Sequence, residues 1–122
     1  MQLTLENPDV RYTLRSADGR GALVNDQRLE TSFILAPSHL VENWRPRVIA
    51  ELTPEDLSEI LDLQPSVVLL GSGASLVFPA TAVLAACLTR GVGMEVMDNA
   101  AAARTFNVLA TEGRRVVAAF LL

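Results

Sequence analysis

The sequence predicts an α/β fold in which an N-terminal antiparallel β meander is followed by a C-terminal parallel βαβαβ unit. Residues 66–122 alternate apolar strand-like runs with helical stretches, which is typical of parallel sheets joined by helical crossovers. Residues 10–36 instead hold closely spaced turn signals, and these favour antiparallel hairpins. A chain of 122 residues has the usual size of one domain, so we expect a single domain over residues 1–122.

Turn signals and apolar runs define the elements of the first half of the chain. The segments 18–21 and 25–26 are rich in Asp, Asn and Gly, so short strands are expected on either side of them. The segment 53–56 is a good helix start, because Thr53 can cap, proline suits the first position, and two acids favour the positive end of the helix dipole. The strands predicted in this half are 12–15, 22–24, 29–36 and a short edge strand at 48–52.

The strand order of the C-terminal unit follows from how apolar each strand is. The runs at 66–73 and 115–122 are continuously apolar, as expected of strands covered on both faces. The middle run, 92–97, contains Glu95 and therefore fits a sheet edge. With right-handed crossovers, this favours the order second–first–third, with the two intervening helices on opposite faces. These helices are predicted at 79–90 and 99–112.

The first of these helices is predicted to bury one apolar stripe. Ala80, Val83, Leu84, Cys87 and Leu88 recur at helical spacing. Cys87 is therefore expected to be a small buried hydrophobe and not a reactive thiol, which would need exposure and positive surroundings. The opposite face is small and uncharged, which leaves open a homodimer that packs through it.

The second helix contains Arg104, whose charge has no partner within the helix. Arg104 has no acidic residue three or four positions away, so no ion pair within the helix accounts for it. Three interpretations stay open: a solvated or distantly paired arginine, a contact with a protein partner, or an anion site. Val108 on the same side favours the partner contact. The core face of this helix is predicted to be Ala102, Ala103, Phe106, Leu109 and Ala110.

Composition excludes several classes of function. The net charge is −4 and all ten cations are scattered arginines, apart from the pairs Arg45/Arg47 and Arg114/Arg115, so we expect no nucleic-acid binding. One cysteine and one histidine exclude a disulfide and a Cys- or His-rich metal site. Residues 1–10 lack the apolar core of a signal peptide, and no run is long enough for a membrane span. We therefore expect a cytoplasmic protein with no cofactor or metal.

Gly71 and Gly73 follow the first parallel strand, at the edge of the sheet where such folds bind ligands. The pair lacks the third glycine of a dinucleotide fingerprint, and the next helix begins several residues later. A structural turn and a ligand contact both stay open. Asp98 should lie nearby, where it could cap a helix or act as an acid or base. No catalytic constellation is present, because neither Ser72 nor Ser75 has a histidine in a predictable position.

Taken together, these segments resemble the small domain-of-unknown-function family of the archaeal Mth938 type, which includes a mitochondrial complex I assembly factor and the adipogenesis-associated domain-containing protein. The Arg-Thr-aromatic-Asn segment at 104–107 is the most specific part of the resemblance. The matching segments in the second half are 70–73, 78–79, 91–98, Ala101, 104–109 and 112–116. Those in the first half are Gly21, Asn25, Ser32, Pro37, Trp44 and 52–57.

The resemblance implies one α/β domain with a mixed sheet and implies little chemistry. We therefore expect a non-enzymatic protein-binding module, similar to an assembly factor, whose partner is another protein or a second copy of the chain. The alternative is a small anionic ligand, or an enzymatic site, at the carboxyl ends of the parallel strands. The residues predicted to take part in binding are Gly71, Gly73, Asp98, Arg104, Thr105, Asn107 and Val108.

Overall fold

The computed structural model describes residues 10–122, and the stretch from which we expect no signal peptide lies almost wholly outside them. The described chain forms two sheets, three α-helices and two short 3₁₀ helices, at Ile49–Glu51 and Pro54–Leu57. The α-helices are α1 (Ser58–Leu61), α2 (Thr81–Leu88) and α3 (Asn99–Thr111). The strands are β1 (Leu14–Ala17), β2 (Ala22–Val24), β3 (Gln27–Leu29), β4 (Phe33–Ala36), β5 (His39–Val41), β6 (Val67–Gly71), β7 (Gly93–Met97) and β8 (Val116–Phe120).

The sheet topology confirms the predicted fold class. Strands β1, β2 and β3 form the antiparallel meander. The second sheet is mixed and has the order β5-β4-β8-β6-β7. Its β8, β6 and β7 are parallel, whereas β4 pairs antiparallel with both β8 and β5. The parallel unit therefore has the predicted order, and β7 is an edge strand.

The mixed sheet separates two apolar clusters. Alternate residues of β6 and β8 point to opposite faces, as the strand period of two requires. Leu69 and Ala118 join Phe106 of α3 and the meander on one face. Leu70 and Ala119 join α1, α2 and Trp44 on the other. The two crossover helices thus cover opposite faces, as predicted.

Two predicted strands in the first half are wrong. The run 29–36 is not one strand, because the polar residues between Leu29 and Phe33 carry the chain from the meander to the mixed sheet. Ser32 is buried there, and its hydroxyl accepts a hydrogen bond from the Leu122 amide at 2.9 Å. The segment 48–52 forms a 3₁₀ turn because the Glu51 carboxylate accepts from the Arg47 amide, which bends the chain.

Helix α2 buries less than its pattern predicts. Only Val83 and Cys87 of the helix are buried, whereas Leu88 is 65% exposed. The helix contacts the edge strand β7 and the 3₁₀ turn at Pro54–Leu57, so little of the sheet is available to cover the rest of the predicted stripe. Burial raises the pKa of the Cys87 thiol, which is consistent with the predicted buried hydrophobe.

A bidentate ion pair anchors the start of the second 3₁₀ turn. The Arg45 guanidinium donates to both carboxylate oxygens of Asp56, at 2.8 and 2.6 Å. The Asp56 carboxylate also accepts from the amide and hydroxyl of Thr53, and the Trp44 indole donates to the Asp56 carbonyl. Arg45, and to a lesser degree Thr53, lowers the pKa of Asp56 to about 2.

Candidate functional site

The glycine loop lies where the strand order reverses. Strand β6 has β7 on one side and β8 on the other, so the crevice at its carboxyl end is the switch point at which α/β sheets bind ligands. The Ser72 backbone amide donates to the Met97 carbonyl at 2.9 Å, and the Asn99 backbone amide donates to the Gly73 carbonyl at 2.9 Å. Gly71, Gly73 and Asp98 are therefore brought together at one edge, which we call the carboxyl edge.

Asn99 fills this crevice. Its side chain is completely buried, and Oδ1 accepts from the Gly73 amide at 3.0 Å. Its Nδ2 donates to the carbonyls of Asp18 and Leu121, at 2.9 and 3.0 Å. A Cβ atom on Gly71 would lie 2.4 Å from Asn99 Oδ1, so only glycine fits beside this amide. The polar groups at the switch point thus satisfy one another.

The β1–β2 turn closes the crevice from outside. A Cβ atom on Gly19 would lie 2.4 Å from the Cβ of Ala74, so the turn and the glycine loop are in direct contact. The Asp18 carboxylate accepts from the amides of Arg20 and Gly21, which lowers the pKa of Asp18 and fixes the shape of the turn. The N-terminal meander therefore packs against the edge at which the sequence left a ligand contact open as the alternative.

The Asp98 carboxylate caps helix α3. It accepts from the Ala101 amide at 2.8 Å, and it lies at the positive end of the helix dipole. This is one of the two roles that the sequence allowed, and it occupies one carboxylate oxygen.

The four predicted residues further along α3 face different directions. Arg104 and Val108 are exposed one turn apart on the outer face. Asn107 points towards the meander, where its Nδ2 donates to the Leu14 carbonyl at 2.7 Å. Thr105 is half-buried and lies about 160° from Asn107 around the helix axis. Only Arg104 and Val108 are therefore displayed together.

The loop after the glycines displays three consecutive apolar side chains. Leu76, Val77 and Phe78 are 51%, 45% and 64% exposed. The Ser72 hydroxyl fixes this loop, because it donates to the Ser75 carbonyl at 2.7 Å and accepts from the Val77 amide at 3.1 Å. We call residues 76–78 the apolar loop. It is held in place from inside the fold while its side chains face solvent.

The other side chains that could take part in catalysis or metal binding do not lie close together in the described residues. His39 begins β5 and contacts the Ser38 hydroxyl at 3.2 Å, so it is both exposed and locally bonded. Among residues 10–122, no three His, Cys, Asp or Glu side chains are grouped so that they could hold a metal ion. In the same part of the chain no helix combines the length and apolar character needed to cross a bilayer.

Sequence reasoning missed Asn99 and the apolar loop. From the sequence, Asn99 is only an alternative to Asp98 as the cap of helix 99–112, whereas its side-chain partners are 22 to 81 positions away along the chain. The signal for it was weak, because it consists only of an asparagine two residues after the predicted strand 92–97. The sequence shows the apolar loop as three large apolar residues between a glycine turn and Pro79. A run of this kind is usually buried, so the sequence alone does not reveal that these side chains are exposed.

The structure is thus an α/β domain in which Asn99 is buried at the switch point and an ordered apolar loop lies beside it. The chain belongs to the family described as "Protein of unknown function (DUF498/DUF598)", whose model matches residues 14–121. This confirms the resemblance drawn from the sequence.

Similar proteins extend over nearly the whole chain. An NMR structure of a Xanthomonas campestris protein is 56% identical, covers 99% of this chain and 92% of its own, and has a TM-score of 0.85. A Mth938-like domain from Bordetella pertussis is 28% identical, with the same coverage and a TM-score of 0.80. The Bos taurus protein named "NADH dehydrogenase [ubiquinone] 1 alpha subcomplex assembly factor 3" is 33% identical over 98% of this chain. This chain spans 65% of that bovine protein, slightly less than two thirds.

Proposed function

We propose that this protein is a non-enzymatic protein-binding module, similar to an assembly factor, and that the apolar loop is its main contact. The observation that carries the proposal is the fixed exposure of Leu76, Val77 and Phe78. Clustered exposed apolar side chains are typical of protein contacts, because they gain the most when a partner removes them from water. An ordered loop also loses little conformational entropy on binding.

Arg104 and Val108 form a proposed second contact on the outer face of α3. In residues 10–122, no carboxylate lies within ion-pair distance of Arg104. Arginine is enriched at interface hot spots, and the exposed Val108 adds apolar surface one turn further along the helix. Asn107 and Asp98 support this surface indirectly, since one ties α3 to the meander and the other caps it.

The relatives' printed name indicates the kind of partner. Their role, by that name, is the assembly of NADH dehydrogenase. We propose that this chain likewise binds a protein subunit that is not yet assembled, and that its apolar loop covers an apolar surface of that subunit. A cytoplasmic location is part of this proposal, and the free buried thiol of Cys87 is compatible with it.

The alternative of an anionic ligand at the carboxyl edge has less support. Such a ligand would need the Gly73 amide, but Asn99 Oδ1 already accepts from it. The Asn107 side-chain amide already donates to the Leu14 carbonyl, and the Asp98 carboxylate would repel an anion.

The test is site-specific photo-crosslinking in the cells that make the protein. A photoreactive amino acid at position 78 should cross-link to one protein subunit, and the same probe at Val48 should not. Val48 is the matched control because it is 53% exposed but is not part of the apolar loop. A Leu76→Ser/Phe78→Ser variant should lower the amount of assembled NADH dehydrogenase on a native gel.

Arg104→Glu should weaken the cross-link from position 78 without changing the fold, because Arg104 is exposed. Equal cross-linking from positions 48 and 78 would count against the proposal. A cross-link only between two copies, with light scattering at the mass of a dimer, would replace the subunit by a homodimer.

A further inference from the structure

Two cavities lie at the amino ends of the parallel strands, opposite the apolar loop. Their volumes are about 290 and 340 Å³. Arg115, which immediately precedes β8, borders both of them. Each cavity is near the lower end of the size range of small-molecule sites in proteins, roughly 300–1,000 Å³. We call this region the amino edge.

Positive charge is concentrated at the amino edge of an otherwise acidic protein. Arg114 lines the first cavity and Arg90 the second, with Arg115 shared by both. Within the described residues, no carboxylate lies within 4.0 Å of these three guanidinium groups. By contrast, the side chains of Arg15, Arg28 and Arg45 are each paired with a carboxylate.

Helix ends explain part of this arrangement. Helices α2 and α3 end shortly before Arg90 and Arg114, and cations are favoured at the negative end of a helix dipole. The helix dipole explains why arginines are favoured at these positions, but it does not explain the two cavities that they line. The two cavities, which are open to solvent, are the second observation on which the proposal below rests.

The two cavities differ in chemistry. Ala36, Leu63 and Val117 form an apolar wall in the first cavity, with His39 also lining it. The second cavity lies between Arg90 and Arg115, and it has Gln64 as a further polar side chain. A ligand that occupied both cavities would therefore need an apolar part for the first and an anionic group for the second.

We propose that the amino edge binds a small organic anion, with its apolar part in the first cavity and its phosphate or carboxylate between Arg90 and Arg115. The planar fork of arginine donors matches the oxygens of either group. This site goes beyond the proposed function and lies at the other end of the strands, so either one can fail without the other.

The test is isothermal titration calorimetry with phenyl phosphate and its two halves, inorganic phosphate and phenol. Phenyl phosphate should bind saturably at one site and more tightly than either half. Arg115→Gln and Arg90→Gln should each weaken it roughly tenfold, which is the usual effect of removing a charge-assisted hydrogen bond. Arg104→Gln is the matched control, because Arg104 is also exposed and unpaired among the described residues but lies away from both cavities.

Benzoate in a parallel titration distinguishes the two headgroups, and tight binding of either compound supports the site. Each variant is first checked by its amide NMR spectrum, so that loss of binding is not loss of fold. The proposal would be overturned if neither phenyl phosphate nor benzoate bound more tightly than inorganic phosphate. Equal weakening by Arg104→Gln and Arg115→Gln would also overturn it, because the attraction would then depend only on total charge.

Discussion

The two ends of the parallel strands have opposite character. At the carboxyl edge, the Asn99 amide and the β1–β2 turn satisfy the polar groups and leave no room for a Cβ on Gly71. At the amino edge, three arginines without carboxylate partners among residues 10–122 border two cavities. Open α/β sheets usually bind ligands at the carboxyl edge. The difference arises because Asn99 and the meander fill the carboxyl edge, whereas the amino edge keeps two cavities beside its arginines.

The largest expected effect comes from removing the amide that seals the carboxyl edge. Asn99→Ala should lower the free energy of unfolding by about 3–4 kcal/mol, because it deletes three hydrogen bonds and leaves buried backbone groups unpaired. Urea denaturation measures this change. Asn107→Ala is the control, since it loses one hydrogen bond to Leu14 and should cost about 1 kcal/mol. If Asn99→Ala lowered the free energy of unfolding no more than Asn107→Ala does, the hydrogen bonds of Asn99 would not be important for holding the carboxyl edge together.

Gly71→Ala should lower the free energy of unfolding by about 2–3 kcal/mol through overpacking against Asn99 and Phe120. The added methyl should be less harmful in an Asn99→Ala background, because the closest atom is then gone. A double-mutant cycle by urea denaturation tests this coupling. Strictly additive effects would mean that the methyl is accommodated in some other way.

Arg45, which is paired with Asp56, shows how an ion pair should affect stability, and it can be compared with the arginines of the amino edge. The pKa of Asp56 is lowered to about 2 from an ordinary 3.8, first by Arg45 and then by Thr53. Its folded pKa lies below the unfolded one, so its stabilisation is complete above about pH 4 and is lost as the pH falls towards 2. Arg45 is 57% exposed, so the effect is reduced by solvent to about 1 kcal/mol.

The check is the free energy of unfolding of the wild type and of Asp56→Asn between pH 5 and pH 2. The difference between them should shrink as the pH falls through this window. Arg115→Gln should give no such pH-dependent difference, because it has no carboxylate partner among the described residues. If the difference in the free energy of unfolding between the wild type and Asp56→Asn stayed constant with pH, the ion pair with Arg45 would not contribute to stability.

The smallest effects are expected at the two surfaces assigned to binding. Leu76→Ser/Phe78→Ser and Arg90→Gln/Arg115→Gln should each change the free energy of unfolding by less than about 0.5 kcal/mol, because these side chains are exposed. Urea denaturation measures this change. A large loss of stability in either variant would mean that the surface serves the fold and not a ligand.

Most of the fold could be predicted because its signals are local. Glu95 in the middle strand and the apolar runs on either side of it were enough to give the order of the parallel strands. The break between Leu29 and Phe33 was missed because three polar residues in an apolar stretch do not reveal a change of sheet. The exposure of Leu88 was missed because helical spacing shows which residues share a face, but not how much sheet lies beneath them.

The candidate site was harder to predict because its contacts are distant in sequence. Gly71, Gly73 and Asp98 were correctly expected to meet, since strand order alone brings them together. What fills the space between them depends on Asn99 and on a turn some 80 positions earlier. The arginine pair at 114–115 was visible in the sequence, but Arg90 joins it only through the packing of α2 beside β7.

The most direct test of the difference between the two edges is an amide NMR titration of the wild-type protein with phenyl phosphate. We expect saturable shifts of the amides around Arg90 and Arg115, with those of Gly73, Asp98 and Ala101 unchanged. Shifts centred on Gly73 and Asp98 would contradict this expectation, because the carboxyl edge would then be open. An absence of shifts at both edges would contradict it as well, because the amino edge would then be as closed as the other.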